Sequence, residues 1–313
     1  MLNIIKINFR LNCMRALLFC ICTLLGMSNL SAQTPKLSSG TITRYEKFAS
    51  NFVESRTVDV WLPDGYTSKK KYAVIYMHDG QMLFDASTTW NKQEWEVDET
   101  MGKLLKEGKI KDCIVVAVWN INGLRRAEYF PKKAIDYLEE PERSKAQNEQ
   151  FLADQYLQFL VKELKPFIDK NYATRKEAAS TFLMGSSMGG LISLYGVCEY
   201  PEVFGGAACL SIHSPLLTDA RVMQNPDNEY AAALRAYVSE KLPQSPKRKI
   251  YFDYGTATLD ALYQQTQPKL DASMENAGYT AKHWITKKFE GAAHDEIAWA
   301  KRLHIPLTFL LKK

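Results

Sequence analysis

Two unbroken apolar runs constrain this chain more than any other feature. Residues 72–77 read YAVIYM and residues 113–119 read CIVVAVW. A strand with one wet face alternates apolar and polar residues. A run that is apolar at every position must therefore be covered on both faces, as in a parallel sheet. Further short apolar runs follow at 181–184, 206–212 and 249–254. Between them, apolar residues recur at spacings of three and four: Leu157, Leu160, Val161, Leu164, Phe167 and Ile168, then Leu191, Leu194, Tyr195 and Cys198. Those are helical stripes, and helices are predicted again over 260–277 and 294–311. Strands alternating with helices specify an α/β fold built on a doubly wound, mostly parallel sheet. Ahead of them, residues 41–63 alternate, as in Arg56-Thr57-Val58-Asp59-Val60-Trp61-Leu62. This predicts antiparallel, half-exposed N-terminal strands.

The first 32 residues read differently. Residues 16–27 (ALLFCICTLLGM) are apolar, with Lys6, Arg10 and Arg15 before them and Ser28-Asn29-Leu30-Ser31-Ala32 after. As a helix this run is about 18 Å long, too short for a bilayer. The layout is that of a secretory signal peptide cleaved after Ala32. It predicts a secreted or periplasmic protein with no membrane span in the mature chain. Residues 33–40 then form a polar linker and residues 41–313 one catalytic domain. Losing the leader removes three cations and no acid, so the formal charge falls from +5 to +2. A chain so near neutrality has no basic footprint for nucleic acid. Beyond the leader, Cys113, Cys198 and Cys209 form no close pair and no metal-binding spacing, and read as small core hydrophobes.

Gly185-Ser186-Ser187-Met188-Gly189 is G-x-S-x-G. It follows a buried strand and precedes a helical stripe, which is the context of a nucleophile elbow. A serine at the apex of so sharp a turn needs a strained backbone. The glycines two before and two after make room for it. The helix behind it aims free amides and a positive dipole end at a developing oxyanion. Ser187 is thus the predicted nucleophile, ahead of Ser186, which lacks symmetric glycines. The Met188 N–H is the expected oxyanion donor.

The elbow requires an acid and then a histidine downstream. His283 falls in a predicted strand and His304 inside the last helix. His294 follows a strand-end loop, Phe289-Glu290-Gly291-Ala292-Ala293, at the edge where α/β sheets present chemistry. It is the predicted base. Two acids compete to orient it. Asp253 lies within the strand at 249–254, and Asp260 lies past its end, in a loop where it could equally cap a helix. Asp260 is preferred. A second oxyanion donor is expected after the strand at 72–77, where Gly80 lets the backbone approach substrate and Gln81 offers its N–H.

These residues resemble the putative-esterase family of α/β-hydrolases, the group of esterase D, enterochelin esterases and feruloyl or acetyl xylan esterases. The resemblance rests on His78-Asp79-Gly80-Gln81 with Phe84-Asp85, and on Asn122-Gly123 through Arg126, Glu128, Tyr129 and Pro131. Residues 185–190, Asp253 through Gly255 to Asp260, and His294 through Glu296, Trp299 and Arg302 complete it. It implies an α/β-hydrolase fold and hydrolysis of a carboxylic ester with no metal or cofactor. It also supports the triad Ser187, Asp260 and His294, and implies a substrate pocket near His78, Asp79, Arg126, Tyr129 and His213. One departure stands out: Thr258 occupies the position, three after Gly255, where several relatives carry the acid. Together with export, the resemblance points to acyl esters of carbohydrate, acetyl or feruloyl. A siderophore lactone or thioester is the alternative substrate, and a binding protein that has lost turnover is the alternative class. The polar segment 134–155 is read as a partial lid over the site.

Overall fold

The strands are β1 (Thr41–Phe48), β2 (Arg56–Leu62), β3 (Ala73–His78), β4 (Cys113–Val118), β5 (Thr181–Ser186), β6 (Gly206–Leu210), β7 (Lys249–Gly255) and β8 (Trp284–Phe289). They form one sheet in the order β1-β2-β4-β3-β5-β6-β7-β8. β2 is antiparallel to β1 and to β4. From β4 onward every pairing is parallel. The expected α/β-hydrolase fold is therefore present, with its antiparallel start. This computed structural model describes residues 34–216, 225–244 and 248–313, and the fold belongs to the unit Pro35–Lys313. The leader and its cleavage site lie outside the described residues.

Successive strand residues point to opposite faces, and here both faces are covered. Val74 and Tyr76 enter one apolar core, under the helices Met188–Glu199, Glu229–Lys241 and Tyr263–Asn276. Ala73, Ile75 and Met77 enter the other, under Val97–Lys106 and His304–Leu311. The unbroken runs of β3 and β4 follow from that double burial. Cys113, Cys198 and Cys209 are buried free thiols within these cores.

Four expectations need correction. β2 is not half-exposed: Val58 and Val60 pack on one face and Trp61 on the other. Its polar residues face partners rather than water. Arg56 holds Glu128 through two bonds of 2.8 and 2.5 Å, and Asp59 accepts from Arg44 and from Trp119 Nε1. Residues 36–39 are docked rather than a loose linker. The Lys36 N–H donates to Asp85 and the Ser38 N–H to Asp98, at 2.8 and 2.6 Å. Backbone amides make those bonds, so composition could not reveal them. The predicted helix over 294–311 is two, Glu296–Arg302 and His304–Leu311. The Pro306 ring would clash with the Arg302 carbonyl in a continuous helix. Finally, the segment 134–155 packs on the helix Glu229–Lys241, with the Tyr137 hydroxyl on Glu240 and its ring against Tyr237. It is a buttress for that helix and not a lid.

Candidate active site

Ser187 joins β5 to the helix Met188–Glu199 with φ 55° and ψ −121°. A non-glycine residue holds such a conformation only where its surroundings over-determine it. Its N–H donates to the Leu210 carbonyl of β6 at 2.9 Å, while its own carbonyl accepts from Gly190 and Leu191. A Cβ on Gly185 would lie 2.7 Å from the Gly189 carbonyl carbon, so the chain can fold back there only with glycine at 185. The Met188 N–H is the first of the helix, one of the amides that has no intrahelical acceptor. Ser186 is buried within β5.

Beyond β7 the chain winds into a short 3-10 turn, Thr258–Leu262, that buries Asp260 completely. Asp260 Oδ1 lies 2.6 Å from His294 Nδ1. Its Oδ2 accepts from the Ser211 hydroxyl at 2.6 Å and from the Gly255 N–H at 2.5 Å. The hydroxyl of Thr258 accepts the His294 backbone N–H at 2.8 Å. The departure noted at Thr258 thus belongs to a turn in which 258 holds the backbone of His294 and 260 holds its ring. Asp253 is engaged elsewhere. It accepts from Arg302 Nε and Nη2 at 3.1 and 2.9 Å, from Tyr251 and from the Ser211 N–H. Ser211 joins the two carboxylates. Its one proton goes to Asp260, and its oxygen accepts from Trp299 Nε1 and Arg302 Nη2, both at 2.9 Å.

The loop after β3 forms the opposite wall. Asp79 sits at φ 58° and starts the 3-10 turn Gly80–Met82. The Met82 N–H closes that turn onto the Asp79 carbonyl, leaving the Gln81 N–H without an acceptor inside it. Gly80 also has a packing role. A Cβ there would lie 2.7 Å from the Ala117 carbonyl carbon, so glycine lets the loop lie on β4. Arg125 grips Asp79 with bonds of 2.8 and 2.7 Å, and Asn120 adds a third at 2.6 Å. Burial alone would raise the Asp79 carboxyl, but these partners outweigh it and hold it below its ordinary value.

The expected pocket residues separate. Arg126 points away, pairing with Glu149 over Phe130 and Phe151. Its neighbour Arg125 has the role. One helical residue is 100° of rotation, and a motif match one residue off faces the wrong side. His78 and Tyr129 are fully buried behind Asp79. Tyr129 Oη accepts the Asp79 N–H at 3.4 Å, and His78 Nδ1 meets Tyr156 Oη at 2.8 Å. Burial holds His78 neutral, down to about 3. His213 lies under the nucleophile. Its N–H donates to the Ser187 carbonyl at 3.2 Å and its Nδ1 meets Tyr263 Oη at 2.7 Å.

A cleft of ≈ 520 Å³ opens between these walls, and Ser187, His294, Gln81 and Arg125 all line it. Against known families, a model described as putative esterase matches residues 49–308. The chain belongs to this esterase family. An endo-1,4-beta-xylanase/feruloyl esterase of Xylanibacter ruminicola is 24% identical over 272 residues, 85% of this chain but 31% of that protein. An uncharacterized Bacillus subtilis protein, YjcH, is 28% identical over 168 residues, 53% of this chain and 60% of its own length. The chain thus matches less than two thirds of the length of these relatives. Among solved structures, a ferulic acid esterase superposes with a TM-score of 0.61 at 19% identity, covering 87% of this chain and 98% of its own. The ferric enterobactin esterase of Salmonella typhimurium reaches 0.64 at 17%, covering 89% and 59%. Likeness at such identity is a likeness of fold. Family membership thus rests on the match over residues 49–308, and the fold on these superpositions.

Besides Arg125, three residues of this site escaped the sequence reading. Tyr263 is buried, meets His213 Nδ1 through its hydroxyl at 2.7 Å, and sets its ring edge-on to His294 at 5.8 Å. Burial first, and then the Asp260 charge, keep its phenol protonated. Ser211 follows β6 with φ 43°. Trp90 projects at the cleft mouth, 82% exposed. Nothing local in sequence marks the first two, because their partners are distant in the chain.

Proposed function

We propose that this protein is an exported serine esterase that works through an acyl-enzyme on acyl esters of carbohydrate. Ser187 Oγ attacks the acyl carbon while His294 Nε2 takes its proton. Asp260, bonded to Nδ1, fixes the tautomer and stabilises the imidazolium. The carbonyl oxygen becomes an oxyanion and is met by the Met188 and Gln81 N–H groups. His294 then gives its proton to the departing alcohol oxygen. Water repeats the sequence on acyl-Ser187, releasing the acid and restoring the hydroxyl. The observation that carries this reading is the pairing of a strained serine, φ 55°, with a histidine in the same cleft whose Nδ1 lies 2.6 Å from a buried carboxylate.

Relatives named as xylanase/feruloyl esterase and ferulic acid esterase support a carbohydrate ester. The enterobactin esterases, equally similar in fold, suggest a siderophore ester. Charge argues against the second. A ferric catecholate is an anion, and this cleft presents Asp79, Asp295 and Glu296 against one arginine that Asp79 already engages. The test is a panel of acetylated xylan, methyl ferulate and a catecholate trilactone. Hydrolysis of the first or second at least tenfold faster than the third is expected. Preference for the trilactone would reverse the assignment.

A further inference from the structure

Trp90 has no structural reason for its position. It is 82% exposed, while the nearby Trp95 and Trp299 are buried against each other. Leaving so large an apolar side chain in water forgoes the burial that a core tryptophan gains. Yet its loop is tightly held. Thr89 closes on the Ala86 carbonyl through its hydroxyl at 3.0 Å, and Lys92 Nζ reaches the Ser87 carbonyl at 2.9 Å. The Gln93 N–H bonds Asn91 Oδ1 at 3.1 Å. Asn91 Nδ2 then ties the loop to Glu296 Oε2 at 2.8 Å, two residues from His294 in sequence. A rigid, exposed aromatic face at the mouth of a reactive cleft is a preorganised binding surface.

Its neighbours decide what binds there. Asn91, Gln93 and Glu296 line the same cleft as the indole and bring amide and carboxylate groups to it. An acyl chain or protein partner needs a continuous apolar patch, and this is one ring in a polar rim. A nucleic acid base would bring phosphate, which Glu296 and Asp295 repel. A sugar ring fits both features, with C–H groups on its face and hydroxyls at its edge. The proton route fixes which part of the ester that is. His294 protonates the departing alcohol, so the alcohol lies on the His294 side, where the Trp90 loop is tied.

Resting on the esterase reading, we infer that Trp90, with Asn91, Gln93 and Glu296, forms a stacking subsite for the sugar that carries the ester, on the leaving-group side of Ser187. The first test compares esters that share an acyl group and differ in alcohol: acetylated xylo-oligosaccharide against p-nitrophenyl acetate. Trp90→Ala is expected to raise KM for the oligosaccharide about tenfold more than for the small ester, and Trp90→Phe to recover part of it. The second uses Ser187→Ala and direct titration with acetylated xylohexaose. Adding Trp90→Ala should weaken binding about tenfold. Equal KM changes for the two alcohols, or a parent that binds no oligosaccharide, would overturn the subsite. Fluorophosphonate labelling of wild type separates the two failures: labelling without sugar discrimination removes the subsite alone, and absent labelling removes the esterase reading.

Discussion

Asp253→Asn and Asp260→Asn should fail in different ways. Asp253 is wholly buried and is half of an ion pair with Arg302, itself 3% exposed. Removing one partner of a buried pair strands the other, at a cost of roughly 3–5 kcal/mol. At roughly 2–4 °C per kcal/mol for a domain of this size, Tm should fall by roughly 6–20 °C. Asp253→Asn with Arg302→Met removes both charges and should restore much of that loss. Asp260 differs because one of its oxygens serves His294. Asp260→Asn should lower kcat by roughly 10⁴, about 5 kcal/mol of barrier, through a mis-set tautomer. Thermal melting and saturating kcat on p-nitrophenyl acetate, measured on the same samples, separate the two. An Asp253→Asn protein that melts with wild type and is inactive, or an Asp260→Asn protein that keeps its kcat, refutes the reasoning.

Other outcomes are expected. Arg125→Ala leaves buried Asp79 without its cation and should cost at least tenfold in kcat/KM, whereas Arg126→Ala, at a half-exposed pair with Glu149, should stay within about 0.5 kcal/mol of wild-type stability. Equal losses would contradict the assignment of Arg125. Gly80→Ala forces a methyl against the β4 backbone, and a loss of about 1–3 kcal/mol with a fall in kcat is expected from urea melts and kinetics. His78 is held at about 3 when folded, against 6.5 unfolded, so its contribution is present above pH 6.5 and lost as pH falls towards about 3. His78→Gln should therefore flatten the stability profile between pH 6 and 4 by up to about 1.4 kcal/mol per pH unit, and an unchanged slope in urea titrations would show His78 protonated in the fold.

How much could be read beforehand follows from where each signal resides. The parallel sheet was legible because β3 and β4 are apolar at every position and only double burial explains that. The elbow was legible because strand, glycines and helix are contiguous. Strand alternation and position favoured Asp260 over Asp253 without deciding between them, and the bond to His294 Nδ1 is visible only in three dimensions. Arg125 was not separable from Arg126, because facing on a five-residue helix is set by the Arg56–Glu128 bond to β2 and not by any local pattern. Arg56 and Asp59 looked solvent-facing because a buried polar residue with a partner has the same letter as an exposed one. Ser211, Tyr263 and His213 form contacts across 49 to 50 residues of chain, which no window of sequence spans. Arg302 and Trp299 stood within the family resemblance, but their meeting point at Ser211 appears only in three dimensions.

The central claim is that Ser187 carries the acyl group. Intact-mass spectrometry after brief exposure to a fluorophosphonate, with peptide mapping, tests it most directly. Wild type should gain one adduct, on the peptide that contains Ser187. Ser187→Ala should gain none and lose roughly 10⁴–10⁶ in kcat. Labelling that persists in Ser187→Ala, or turnover within tenfold of wild type, would contradict the account.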